Sequence, residues 1–105
     1  MTQFDVHRNP GRQRDAIPYV VVLQSSRFDR STTRFVGPLV LVRHAAVREH
    51  YLAPRFTVMG EEVMLDVFNL ATLPAERLGK PIASLGDEDT RARVARALDE
   101  LISQA

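Results

Sequence analysis

The 105 residues contain no cysteine. That excludes a disulfide framework, a thiolate nucleophile and every zinc site built on cysteine ligands, so the fold must rest on packing. No apolar run approaches the roughly 20 residues of a membrane span, and Pro38, Arg43 and His44 interrupt the longest. The first fifteen residues carry Asp5, Arg8, Arg12 and Arg14 where a secretory signal needs an apolar stretch. A cytoplasmic protein with no membrane partner is the expectation. Charge of one sign is also scarce: fourteen Lys and Arg against thirteen Asp and Glu give a net +1, too little to hold a chain on nucleic acid by its overall field.

What is present is an ordinary globular composition, 45% hydrophobic and 26% charged, at a length that suits one core. No repeat, low-complexity stretch or linker divides it, so residues 1–105 read as a single domain. The charge is unevenly spread. Residues 1–58 hold nine arginines against four acids, and residues 59–105 hold five bases against nine acids, making the halves about +5 and −4. This fits a binding surface with two faces, or simply solvated side chains.

The N-terminal half reads as β structure. In residues 3–7, Phe4 and Val6 fall on one face and Asp5 on the other, the period of a half-buried strand. After the breaker Asn9-Pro10-Gly11, residues 19–23 are a continuous β-branched run, expected at the centre of the sheet and buried on both faces. Residues 25–33 loop out. Residues 34–42 return to strand, with Gly37-Pro38 implying a bulge or a sheet edge in mid-run, and residues 45–51 suit a helical turn.

Residues 56–59 and 63–68, joined by Gly60-Glu61-Glu62, have the pattern of a hairpin. Pro74, Gly79 and Pro81 punctuate residues 69–85, leaving room for one short strand near 75–78. From Asp87 the period becomes helical, with Val94, Leu98, Leu101 and Ile102 as the apolar stripe. Asp87-Glu88-Asp89 suits the positive end of the helix dipole, and Asp87/Arg91, Asp89/Arg93 and Arg96/Glu100 are spaced as i, i+4 ion pairs. Several strands and one closing helix make an α+β plan, mainly β.

Chemistry is not visible in this pattern. His7, His44 and His50 lack metal-ligand spacing and read as surface or partly buried residues. Glu61 and Glu62 are neighbours that point apart and read as a solvated turn, not an acid–base pair. None of Ser25, Ser26, Ser31, Ser84 and Ser103 lies in G-x-S-x-G, and Gly11 and Gly60 are too isolated for a phosphate loop. No metal or cofactor is expected. One catalytic reading stays open: RNA cleavage by Arg27, Asp29 and Arg30, which cluster in one loop.

Several segments, taken in order, resemble the CcdB family of toxins. They are Gln3-Phe4-x-Val6, Val22-x-Gln24-Ser25, Arg34-x-Val36-x-Pro38-Leu39, Leu52-x-Pro54 before a hairpin turning at Gly60, Leu70-Ala71-x-Leu73-Pro74, and a closing helix after Ser84. The resemblance spans nearly the whole chain. It implies a homodimer of small, strongly bent SH3-like barrels (CcdB/MazF-like) with a C-terminal amphipathic helix. It also implies a non-enzymatic poison that binds the A subunit of DNA gyrase, is neutralised by a CcdA-like antitoxin, and contacts operator DNA only with that antitoxin, in autorepression.

The target-binding residues would be Arg27, Phe28, Asp99, Ile102, Ser103, Gln104 and Ala105. Here the sequence departs from the family: the closing aromatic, tryptophan, glycine and isoleucine are replaced by Ile102, Ser103, Gln104 and Ala105. Losing a tryptophan anchor costs about 2 kcal/mol or more. Arg27-Phe28 replaces an aliphatic pair, with Phe28 either reaching the target or folding back onto the core, and Asp99 replaces an amide. Disordered antitoxin tails are often acidic, which makes Arg8, Arg12, Arg14, Arg43 and Arg48 the antitoxin candidates. Three functions follow for testing: a gyrase-directed toxin, a CcdB-like module that binds an antitoxin without poisoning gyrase, and a MazF-like endoribonuclease related by fold alone.

Overall fold

The computed structural model describes residues 2–44 and 53–103. The expected helical turn at 45–51 therefore lies outside the described residues. Among the described residues, seven strands form one antiparallel sheet: β1 (Asp5–Arg8), β2 (Tyr19–Val22), β3 (Thr33–Leu41), β4 (Arg55–Val58), β5 (Glu61–Leu65), β6 (Ala71–Pro74) and β7 (Ala83–Ser84), followed by helix α1 (Glu88–Ile102). Their order is β4-β5-β3-β2-β1-β7, with β6 also paired to β3. The sheet bends into a nearly closed barrel, the mainly β, SH3-like plan anticipated from the sequence.

β2 takes the central place its β-branched run predicts, and all four residues are buried. Tyr19 and Val21 face the main core with Phe4, Val6, Leu39, Leu65, Val94 and Ala97. Val20 and Val22 face the other way, into a smaller cluster with Val36 and Leu78. The strand thus serves two cores, one on each face of the sheet.

Gly37-Pro38 makes neither a bulge nor an edge. The β2–β3 register runs unbroken through Val21↔Gly37 and Val20↔Pro38. What changes there is the partner on the other side, from β6 at residues 33–36 to β5 at residues 39–41. The buried face changes too, from Arg34 and Val36 to Leu39 and Leu41. The Asp66 N–H donates to the Pro38 carbonyl at 3.0 Å, so Pro38 faces the seam between the two partner strands, where its missing N–H breaks no ladder bond.

The hairpin is confirmed with a tighter turn. Val58 pairs with Glu61, leaving only Met59 (φ 50°) and Gly60 (φ 81°) as the loop. Positive φ at both central residues is the type I′ geometry that matches strand twist. Glu61 and Glu62 consequently lie in β5 and not in a solvated turn, and Glu61 accepts a 3.1 Å hydrogen bond from the buried Tyr19 hydroxyl.

Three further expectations need correction. The short strand is at Ala71–Pro74, and Ala75–Arg77 is a 3-10 turn, because pairing with Thr33–Val36 captures the earlier segment. His7 is fully buried, so β1 does not alternate strictly: Val6 and His7 are both covered, between half-buried Asp5 and exposed Arg8. In α1 the buried stripe is Thr90, Val94 and Ala97, with Leu98 packed against it; Leu101 and Ile102, placed in that stripe by periodicity, are exposed, Ile102 at 78%, because no buried cluster reaches the last turn of the helix. Asp87 caps α1 as its acidic start suggests, accepting from the Thr90 N–H at 2.7 Å, and Asp89 pairs with Arg93 at 3.6 Å.

Candidate functional site

Ser25 ends the β2 run and caps a 3-10 turn, Ser26–Phe28, by accepting from the Arg27 N–H. The Gln24 side chain stabilises both sides of this turn. Its amide donates to the Phe28 carbonyl at 2.9 Å and its oxygen accepts from the Phe35 N–H at 2.9 Å. Arg27 is exposed. Phe28 is 58% exposed, so it does not fold back onto the core, and half-exposed Phe35 lies across the same glutamine.

Arg34, named above only as the start of a resemblance segment and given no role, shapes the next loop. It is buried on β3, and its guanidinium donates to the carbonyls of Asp29, Ser31 and Thr33. The signal for this was weak: an arginine opening a strand pattern looks like any other surface charge. Asp29 is thereby engaged through its backbone. Arg27, Asp29 and Arg30 line neither of the two cavities described below.

At the other candidate surface, Asp99, Ile102 and Ser103 are all exposed at the end of α1. The Ser103 N–H donates back to the Asp99 carbonyl at 2.8 Å as the last helical bond, and the extended backbone at Ser103 ends the helix. Gln104 and Ala105 lie outside the described residues. Gln3 connects the turn to the helix. Its N–H donates to Ser26 Oγ, its amide donates to the Leu23 carbonyl, and its oxygen accepts from Arg91 at 3.0 Å. Arg91 in turn lies 5.5 Å from the Phe4 ring centre, a cation–π distance. The turn is thus tied to the first half of α1, with Asp99 and Ile102 roughly 12–17 Å further along the helix axis.

An apolar groove of about 600 Å³ opens on the outer face of the sheet. Val20, Pro38, Val40 and Met64 line it from the sheet, Phe68 and Asn69 form one wall, and Asn9, Gln13, Ala16 and Ile17, from the segment 9–17, form the other. Asn9 organises that second wall: its amide donates to the Arg12 and Ile17 carbonyls at 2.9 and 2.8 Å, and its oxygen accepts from the Gly11 N–H. Composition marked Asn9-Pro10-Gly11 only as a breaker. The sheet residues of the groove read as strand interior, because periodicity cannot tell a covered face from one with a hollow over it.

The five antitoxin candidates divide around this groove. Arg12 and Arg14 are exposed on the 9–17 wall, with Arg14 donating to the Gly11 carbonyl at 3.0 Å. Arg43 is exposed beside His44, which lines the groove. Arg8 sits apart, on the face of β1 toward Tyr19, its register partner. Burial, the Glu61 hydrogen bond and the Glu61 charge push the Tyr19 hydroxyl above its usual value, and Arg8 opposes them. Arg48 lies outside the described residues.

A smaller, polar cleft of about 520 Å³ lies between the hairpin and the start of α1. Arg93 fills part of it, donating to the Arg55 carbonyl at 2.6 Å and lying 4.7 Å from the Phe56 ring centre. Asp87 lines the same cleft, and its hydrogen bonds with Thr90 hold its carboxyl below the usual aspartate value.

The sequence model of a protein family described as CcdB protein covers residues 3–103. A search of curated proteins returns no match.

Proposed function

The chain belongs to the CcdB family, and from that premise we propose that it is a toxin acting by binding, with DNA gyrase as its target and a CcdA-like antitoxin as its antagonist. The observation that carries this reading is the solvent exposure of two large apolar side chains, Ile102 at 78% and Phe28 at 58%, in the two segments where the family contacts gyrase. Met59 and Phe68 are exposed to a similar degree, so what supports the reading is that Phe28 and Ile102 fall in those two segments, where an interface core needs large apolar side chains. The functional unit is a homodimer, which offers the two halves of gyrase two copies of this surface.

The antitoxin occupies the apolar groove. An acidic, disordered segment that folds on binding fits a site with an apolar lining of Val20, Val40 and Met64 and exposed Arg12, Arg14 and Arg43 in the segments that frame it. Operon autorepression by the toxin–antitoxin pair completes the reading.

The test is a gyrase cleavage assay with the purified protein. Accumulation of the cleaved-DNA complex at micromolar protein, reversed by the cognate antitoxin, is the expected result. An absence of cleaved complex removes gyrase poisoning for this chain. A second reading is favoured by Ser103 standing where the family has tryptophan: a CcdB-type module that still binds its antitoxin but no longer traps gyrase. It predicts antitoxin binding by calorimetry together with a blank cleavage assay.

A further inference from the structure

We propose that residues 75–82 form a strap latched by His7 over the outer-face core, and that one proton on His7 releases it. The observation behind this is a buried imidazole with one satisfied nitrogen and one orphan. His7 is fully buried on β1. Its Nδ1 lies 3.1 Å from the Leu78 carbonyl; the carbonyl can only accept, which assigns the proton to Nδ1. Nε2 is buried with no hydrogen-bond partner among the described residues. Neutral imidazole tolerates this arrangement. Imidazolium does not, because its second N–H would be buried with nothing to receive it.

The strap is built to move as a unit. The Ala75 N–H donates to the Thr32 carbonyl and the Ile82 N–H to the Val6 carbonyl, so both ends are anchored. Between them Glu76, Arg77, Gly79, Lys80 and Pro81 are exposed, and Leu78 alone is buried, packed in the cluster of Val20, Val22 and Val36. Gly79 has φ +65°, a bend that a side chain would resist. The inward attachments of the middle of the strap are the Leu78 side chain and the bond to His7.

Charged groups around the imidazole are few. Burial lowers its proton affinity most, and the amino terminus lowers it further; the Leu78 and Gly79 carbonyls and Asp5 on the same strand act the other way. β2 offers only apolar Val20, opposite His7 in register, while Glu76, Arg77 and Lys80 on the strap are exposed. The folded value lies below the ordinary 6.5, so the closed strap is fully favoured above 6.5 and loses that advantage as pH falls from there through the folded value. Val20, Val36 and Leu73 both belong to the region under Leu78 and line the groove. Release therefore lengthens the groove toward β1.

The test is amide hydrogen exchange followed by NMR between about pH 7.5 and 4.5, read as protection factors so that the intrinsic pH dependence of exchange is removed. Protection of the Leu78 amide should fall by up to tenfold per pH unit below 6.5, with the same midpoint as the His7 ring signals, while the Leu23 and Leu65 amides hold. His7→Gln, which keeps a donor without a titrating group, should flatten the Leu78 profile. Two results overturn the proposal: Leu78 protection that does not change with pH, or loss at Leu78 only in parallel with Leu23 and Leu65. The wild-type series decides between these outcomes even if the variant does not fold.

Discussion

A Cβ placed on Gly37 would come within 2.5 Å of Leu65 Cδ1, 3.1 Å of Leu70 Cδ2 and 3.3 Å of Leu23 Cδ1. Glycine is required there by space, not by backbone angle, because the crossing strand is packed against three leucines at once. Gly37→Ala should cost about 1–3 kcal/mol as an overpacking change, read as a lower denaturation midpoint with an unchanged slope. Composition displayed Gly37-Pro38 plainly but suggested only an interruption. That the pair marks a change of partner and of buried face depends on strands that lie more than twenty residues away in sequence, and no local pattern carries that. His7 and Arg34 were illegible for a related reason: each is polar by type, and each is buried by an element, the strap or the 29–33 loop, whose position the sequence does not announce.

Among the elements, the β4–β5 hairpin was the most legible, since two alternating runs around a glycine leave little choice of pairing. Its turn nonetheless carries a misfit. Met59 holds φ 50° and is 61% exposed, an uncomfortable conformation for a long side chain, which asparagine adopts more readily. Met59→Asn should stabilise the protein by a few tenths to about 1 kcal/mol, and Gly60→Ala should destabilise it by about 1 kcal/mol. Opposite shifts in melting temperature check the pair; a loss in both would mean that the Met59 side chain has a contact worth more than the backbone strain. The helix was legible at its start, where Asp87 and the acidic turn fix the N-terminus, and misleading at its end. Periodicity reports which residues share a face, whereas burial depends on whether a sheet lies beneath that face.

For the molecule as a whole, the separation between what holds the fold and what meets a partner is testable at Ile102. With 78% of its surface in water, Ile102→Lys should change unfolding free energy by no more than about 0.5 kcal/mol, yet weaken target binding at least tenfold if the helix end belongs to the interface. Unchanged binding by the lysine variant would move the contact to another surface. Of the candidate residues, Phe28 and Ile102 were proposed by resemblance and the arginines by charge, and the structure adds that both apolar side chains are exposed. The groove was not legible, because the residues beneath it are the same valines and methionine that any strand interior would show, Val20 and Met64 being themselves buried, and only the assembled sheet and its connections shape a hollow over them.

The double partnership of β3 has a consequence for how this protein comes into being. β3 pairs with Tyr19–Val22, which precede it, and with Glu61–Leu65 and Ala71–Pro74, which follow it. During vectorial synthesis the first three strands emerge as a meander whose β3 edge is covered in two steps, at residues 39–41 once residue 65 has left the ribosome and at residues 33–36 only once residue 74 has. The sheet side of the groove needs Met64 from the late half and Val20 from the early half. A growing chain therefore cannot offer this surface to a partner, and any antagonist that docks there must meet a nearly finished molecule.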